Sequence, residues 1–323
     1  MPAARLLVLL ILLLLAAFVL SLLIGSVALE PGNIMQALFG SADAMTTGII
    51  QELRLPRALA AFAVGGLLAL AGVLMQVLLR NPLADPYILG ISGGAGVAVL
   101  LSLLAGIGSG WLHGAAFGGA LASMLLVFAL AHGKGCWTPT RLLLTGVVLA
   151  FGWGALISLL LVTASHERLP GMLFWLIGDL GAVQQVWPAL LVLVLGLLLA
   201  WPLARTLNVM AHGELRAASL GVNTDRTRRG LYVLASLLTA TAVTLAGSIG
   251  FIGLVIPHLL RLLGARDHRV LLPASVLAGG TLLLLADALA RSLLGPQQLP
   301  VGVLTALLGV PLFLYLLRSE ARA

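Results

Sequence analysis

Residues 57–79 read RALAAFAVGGLLALAGVLMQVLL, with a charge at the first position and none in the rest. A bilayer core about 30 Å thick is crossed by roughly 20 apolar residues in helical form, so this stretch is read as a membrane span. Outward from it, between Gly/Pro or charged breaks, the same reading holds at 6–28, 87–105, 111–131, 142–163, 187–204, 230–249, 251–264, 270–290 and 300–317. Ten crossings place both termini on one side. The eighth, 251–264, is short for a span.

Composition agrees. The 323 residues are 61% hydrophobic and 9% charged, with a mean hydropathy of +1.14, against roughly 25% charged residues in a soluble domain. A water-soluble fold is thereby excluded. The 38 glycines suit helices that must approach closely in lipid. Arg5 followed by apolar 6–28 resembles a secretory signal, but the run exceeds the roughly 7–15 residues of a signal core, and it is read as an uncleaved first span. The formal charge of +7 does not point to nucleic acid, because the basic residues punctuate apolar runs instead of clustering.

Lysine and arginine are retained on the cytoplasmic side of a membrane protein. With the N-terminus inside, all of the 18 basic residues except Arg54, Arg57, Arg168 and Arg291 fall on that side. This asymmetry favours cytoplasmic termini and an even number of spans.

Chemistry is sparse. A P-loop needs Gly-Lys followed by Ser or Thr, and the single lysine, Lys134, stands in His132-Gly133-Lys134-Gly135; the chain is not itself a P-loop ATPase. An ion-coupled carrier keeps acids near mid-membrane, whereas the 11 acidic residues lie at or near span ends. Asp287 is the deepest and stands four residues before Arg291, the spacing of a helical ion pair. Lone Cys136, with His132 nearby, offers neither an intrachain disulfide nor a metal set. No Ser/His or His-rich constellation recurs within a span, which argues against an intramembrane enzyme, and His258 reads as a packed histidine. The loop from His212 to Arg229 joins a short helical pattern to a glycine stop and a basic run, fitting either a positive-inside anchor or a docking element. Arg54, Arg57 and Arg291 could bind acidic groups of a partner or lipid phosphate.

Several motifs carry a resemblance. Leu53-Arg54-Leu55-Pro56-Arg57, Gly72-Val73-Leu74-Met75-Gln76, Asn81-Pro82-Leu83-Ala84-Asp85-Pro86, Gly90-Ile91-Ser92-Gly93-Gly94-Ala95-Gly96, Gly247 through His258, Asp267-His268-Arg269 and Leu299-Pro300-Val301-Gly302 resemble the FecCD-type permeases of ABC importers for vitamin B12, ferric siderophores and haem. The resemblance covers nearly the whole chain. It implies an all-α integral membrane protein of about ten helices with the type II ABC importer permease fold, residues 1–323 forming one transmembrane domain with a cytoplasmic coupling loop at about 208–230. It implies a bacterial inner-membrane homodimer, two cytoplasmic ATPase subunits that bind ATP and Mg²⁺, a periplasmic substrate-binding protein, and no cofactor, metal or catalysis in this chain.

Position by position, the resemblance assigns binding-protein docking to Arg54, Arg57 and Arg291. ATPase coupling falls to Gly213, Glu214, Arg216, Leu220, Gly221, Arg226, Arg228 and Arg229. Asn81 and Leu83 match positions near the cytoplasmic gate, and the nearby polar gate position departs from the family pattern, with Pro139 between Thr138 and Thr140; Thr145, Trp153 and Ser158 are read as pathway-wall residues around the fifth span. The expected action is alternating access driven by the ATPases. Phe174-Trp175-Leu176-Ile177-Gly178-Asp179 inclines the expectation to an iron chelate over cobalamin. The competing expectation is an ion-coupled secondary transporter of a small solute.

Overall fold

Apolar runs of this length in lipid must form helices, which satisfy their own backbone groups. The computed structural model describes residues 3–25, 31–38, 41–131, 138–181, 183, 185–293 and 298–320, and among them there are helices and turns but no strands. His132, Lys134 and Cys136 lie outside the described residues. The helices are α1 (Ala3–Leu23), α2 (Pro31–Leu38), α3 (Ala44–Gly48), α4 (Leu55–Leu78), α5 (Ile91–Leu104), α6 (Leu112–Ala131), α7 (Pro139–Thr163), α8 (Leu169–Ile177), α9 (Trp187–Ala200), α10 (Ala204–Ala211), α11 (Glu214–Ser219), α12 (Thr224–Ala246), α13 (Ile252–Leu262), α14 (His268–Ser292) and α15 (Val301–Glu320). A π-helical stretch, Ile49–Arg54, carries α3 into α4. Among the described residues, seven helices are long and apolar enough to cross a membrane, and three shorter apolar helices, Ile91–Leu104, Ile252–Leu262 and Val301–Tyr315, fall on the remaining expected stretches. The end of the bundle where α4 begins is called upper here, and the end where it finishes lower.

Helix α4 is the axis of the bundle. Pro56 occupies its first turn, where a missing N–H costs nothing, and Ala60 through Leu78 are buried except Phe62. Its neighbours approach through glycines: a Cβ on Gly65 would stand 2.3 Å from the Gly279 carbonyl oxygen on α14, and one on Gly72 would stand 1.9 Å from that of Gly253 on α13. Packing this close brings backbone against backbone, where lipid supplies no hydrophobic drive for helix association.

The short eighth span has a physical reason. Gly247 to Gly250 are not helical, and Phe251, at φ +71°, turns the chain into α13. Helix α13 therefore starts inside the bundle, against the lower part of α4, and needs only 11 residues to finish the crossing. The unwound stretch is tolerated because protein satisfies it: the Ala246 carbonyl accepts from Asp179 N–H at 2.9 Å, and the Ile249 N–H donates to the Tyr87 hydroxyl at 3.1 Å.

Proline inside a helix removes the hydrogen bond to the carbonyl four residues earlier. Pro257 in α13 frees the carbonyl of Gly253, and Gln76 of α4 donates its side-chain N–H to that oxygen at 3.4 Å and to the Leu254 carbonyl at 3.2 Å. Arg261 in turn donates to the Gln76 side-chain oxygen. Gln76, 4% exposed, is thus the polar bolt of the α4–α13 contact. Gln76→Leu is expected to destabilise the fold by about 1–3 kcal/mol, the cost of leaving buried partners unsatisfied. Thermal unfolding of the detergent-purified chain reads this out, and a melting curve matching the parent's would refute the bolt.

Candidate functional site

At the lower end, α4 stops in a left-handed turn: Arg80 takes φ +50°, and Asn81 N–H bonds back to the Gln76 carbonyl at 3.1 Å, closing the helix terminus as a Schellman-type cap does. The Asn81 side-chain oxygen accepts from Leu83 N–H at 2.9 Å, an Asx turn that unites two of the expected gate residues. Across a cleft, Thr138 caps α7 by accepting from Arg141 N–H at 3.3 Å, and Pro139 is the first residue of that helix. The proline between the two threonines is therefore a helix-start residue. Arg80, Asn81, Pro139 and Thr140 line one cavity of about 380 Å³ with Leu79 and Leu143. The structure brings Asn81 and Thr140 together and gives Thr138 to the cap.

The other expected pathway residues lie along α7, whose side chains are largely exposed among the described residues. Trp153 turns inward: its indole N–H donates to Ser123 at 2.9 Å, and Ser123 donates to the Gly90 carbonyl at 2.9 Å. Gly93 admits the tryptophan, since a Cβ there would stand 2.6 Å from it. Thr145 is half-buried and Ser158 is exposed, its hydroxyl spent on its own helix at the Gly154 carbonyl, 2.9 Å away. Near the upper end, Phe174, Trp175 and Asp179 help line a second cavity of about 520 Å³ between α6, α8, α9 and α12.

The coupling loop folds as α10 and α11, joined at Gly213, whose φ of +113° favours glycine, and released at Gly221, φ +81°. Helix α11 offers Leu215 and Arg216 outward, as the chain does with Leu220, which follows it, and Leu215 is 91% exposed. Arg226 and Arg229 are exposed as well, whereas Arg228 is buried and pairs with Glu214 at 3.0 Å and Asp225 at 3.7 Å. Glu214 and Arg228 therefore hold α11 against α12. Sequence reasoning passed over Leu215, a large apolar side chain left exposed.

Arg54 and Arg291 at the upper end face inward. Arg54, 6% exposed, donates to the Leu22 and Leu23 carbonyls at 2.5 and 3.1 Å. Arg291, also 6% exposed, donates to the Ile24 and Ser21 carbonyls, each at 3.0 Å, and to the Ser21 hydroxyl at 2.9 Å. Both guanidiniums cap the end of α1, where orphan carbonyls and the helix dipole attract cations. Arg168, the fourth upper arginine, does the same for α5 at the Leu103 and Leu104 carbonyls. Asp287, fully buried, accepts from Arg57 at 3.0 and 3.1 Å and pairs with Arg291 at 3.1 Å. Arg57 also reaches Gln298 at 2.7 Å and Asp179 at 3.8 Å. The guanidiniums of Arg54 and Arg291 are thus spent on α1, and of the three expected docking residues Arg57 keeps the most exposed position.

Residues 12–319 match the model of the FecCD transport family. The chain belongs to this family. The FecCD chain is 42% identical over 324 residues to the vitamin B12 import system permease protein BtuC of Klebsiella pneumoniae, covering 96% of this chain and 93% of that one. It is 44% identical over 282 residues to the cobalamin import system permease protein BtuC of Halobacterium salinarum, covering 85% and 75%. It superposes with a TM-score of 0.88, at 34% identity and over 98% of its length and 99% of the other chain, on a metal-chelate type ABC transporter in an inward-facing conformation. The FecCD chain is accordingly a multi-pass ABC importer permease with the type II fold, a transport subunit and not an enzyme, working with ATPase and substrate-binding partners.

Proposed function

We propose that this permease carries cobalamin across a bacterial inner membrane, from periplasm to cytoplasm, by alternating access in a homodimer with both termini cytoplasmic. The observation that carries the substrate is full-length similarity to permeases named for vitamin B12 and cobalamin import. It displaces the iron chelate inferred from Phe174 to Asp179, a segment whose first four residues end α8 and whose last two lead to a backbone hydrogen bond with α12. An ion-coupled carrier is not favoured.

In this reading the upper end is periplasmic and receives the binding protein. Arg54 and Arg291 shape that surface by holding α1, and Arg57, bound to Asp287 and Gln298, offers an acidic partner only its partly exposed edge. The lower end is cytoplasmic. Leu215, Arg216 and Leu220 enter a groove on the ATPase, which holds ATP and Mg²⁺; the basic Arg226 and Arg229 flank them. Closure of the ATPases moves α10 and α11 and changes access at the cleft between Asn81 and Thr140. A ligand shifts such an equilibrium only by binding the states unequally, so ATP and the docked binding protein must each prefer one of them.

The test is uptake into proteoliposomes holding the permease, its ATPase and its binding protein, with cobalamin, a ferric siderophore and haem offered in parallel. ATP-dependent accumulation of cobalamin alone is the expected result. Accumulation of an iron compound in its place would move the substrate, and uptake that persists without ATP or the ATPase would restore the secondary carrier.

A further inference from the structure

Helix α14 runs unbroken from the lower end to the upper end, and each end is tied to something that matters in transport. Its 25 residues span about 37 Å at 1.5 Å per residue. The upper end carries Asp287 and Arg291, bound to α4 and α1. At the lower end one side chain, Asn208 of α10, uses both faces of its amide on the first residues of α14. Its N–H donates to the Asp267 carboxylate at 2.8 Å, and its oxygen accepts from the His268 backbone N–H at 3.0 Å and lies 2.6 Å from the His268 ring nitrogen Nδ1.

Asp267 does not need Asn208 to start the helix, because it already accepts from Arg269 N–H at 2.9 Å as an N-cap. A second tie lies beside the first. Pro273 frees the Arg269 carbonyl, and Trp201, just before α10, donates its indole N–H to that oxygen at 3.1 Å. The contacts join the α10 region to the foot of α14 through groups about 60 residues away in the chain. On the other side, α10 leads through Gly213 into α11, which presents the exposed Leu215.

We propose that Asn208, with Trp201 beside it, is a positioning residue that joins the coupling helices to α14, so that ATPase movement is delivered along α14 to the arginine cluster at the upper end. The inference rests on the reading of α10 and α11 as the ATPase-docking element. It names the mechanical joint that this reading leaves open. A side-chain amide carries its donor and its acceptor in fixed geometry, so the pairing with a carboxylate on one side and an N–H on the other sets the angle between the two elements.

The polarity of the joint can be inverted. In Asn208→Asp two carboxylates face each other where a hydrogen bond stood. In the pair Asn208→Asp with Asp267→Asn the donor and acceptor are exchanged, and the side chain introduced by the second substitution is itself a good N-cap for α14. The experiment is hydrogen–deuterium exchange on the complete permease–ATPase complex, nucleotide-free and trapped with ATP and vanadate, following peptides over 204–230, 174–181 and 298–304. In the parent, trapping is expected to change exchange in all three. In N208D the change is expected to remain in 204–230 and to be lost in the two upper-end peptides, and the double variant is expected to regain it. A merely structural defect would raise exchange in both states and leave the nucleotide-dependent difference in place. Upper-end changes that persist in N208D, or a double variant no better than N208D, would overturn the proposal. Should N208D fail to assemble, Trp201→Phe removes only the donor to the Arg269 carbonyl; a smaller upper-end change supports the joint and an unchanged one overturns it. If adding the ATPase leaves 204–230 unaltered in the parent and Arg228→Ala still binds the ATPase normally, the docking reading itself falls, a result distinct from failure of the joint.

Discussion

Replacing Asp287 with alanine is expected to unfold most of the permease at temperatures where the parent is stable. The carboxylate is fully buried and serves two guanidiniums at 3.0–3.1 Å, so its removal takes away the anion that two largely buried cations share and leaves them to neutral partners and the more distant Asp179. Breaking a buried ion pair from one side costs about 3–5 kcal/mol, a large part of the roughly 5–15 kcal/mol that holds a typical domain together. The alanine itself adds a small cavity and no strain, which isolates the electrostatic term. Size-exclusion profiles and thermal unfolding of the detergent-purified chain measure the loss. Arg57→Leu added to Asp287→Ala should recover part of it, because Arg291 keeps its carbonyl partners on α1 while the Arg57 charge that lost its nearest anion is gone. A single variant that elutes and melts with the parent would show that the cluster is not held by its acid.

Gly72→Ala is the second large effect. The new Cβ would stand 1.9 Å from the Gly253 carbonyl oxygen and 2.7 Å from its Cα, and all of these are backbone atoms that no rotamer change can move. Overpacking a tight core costs about 1–3 kcal/mol and sometimes more. Here the upper part of that range applies, since pushing α13 aside also pulls the Gly253 oxygen off Gln76. Gly118→Ala on α6 is the matched control: its Cβ would meet nothing within 4 Å, and alanine is favoured over glycine in a helix by about 1 kcal/mol. The two alanines should shift the melting curve in opposite directions. Equal shifts would mean that the α4–α13 crossing relaxes more easily than its backbone contact allows.

Much of this was legible in the chain and some was not, for reasons that differ by residue. The long apolar runs announced the spans because a bilayer imposes their length, and Asp287 announced its pairing with Arg291 because four residues are one helical turn. Helix α8 was hidden: LPGMLFWLI is too short to span and lies between two spans, so nothing in periodicity separates it from a loop. The inward turn of Arg54 and Arg291 was equally hidden, since their partners are backbone carbonyls of a helix distant in sequence, and a carbonyl leaves no mark on composition. Gln76 and Pro257 form a legible pair only once α4 and α13 are known to be neighbours. The motifs located the coupling loop, but exposure was needed to separate Leu215 and Arg216, which face outward, from Arg228, which does not. Asn208 escaped notice because its partners at the foot of α14 lie about 60 residues on, and nothing in its own segment, ARTLNVMA, marks them.

The capping of α1 bears on how the chain is made. Helix α1 leaves the ribosome before the other described spans, yet the side chain that binds its Ser21 carbonyl lies 270 residues later. At roughly 5–20 residues per second of synthesis, α1 waits on the order of tens of seconds in the membrane with that carbonyl uncapped by Arg291. Its own surface is nearly all leucine, valine and alanine, suited to lodging in lipid without a partner. Helix α1 is thus threaded early and fastened late, and synthesis cut short before Arg291 would leave it with only one of its two clasps, Arg54.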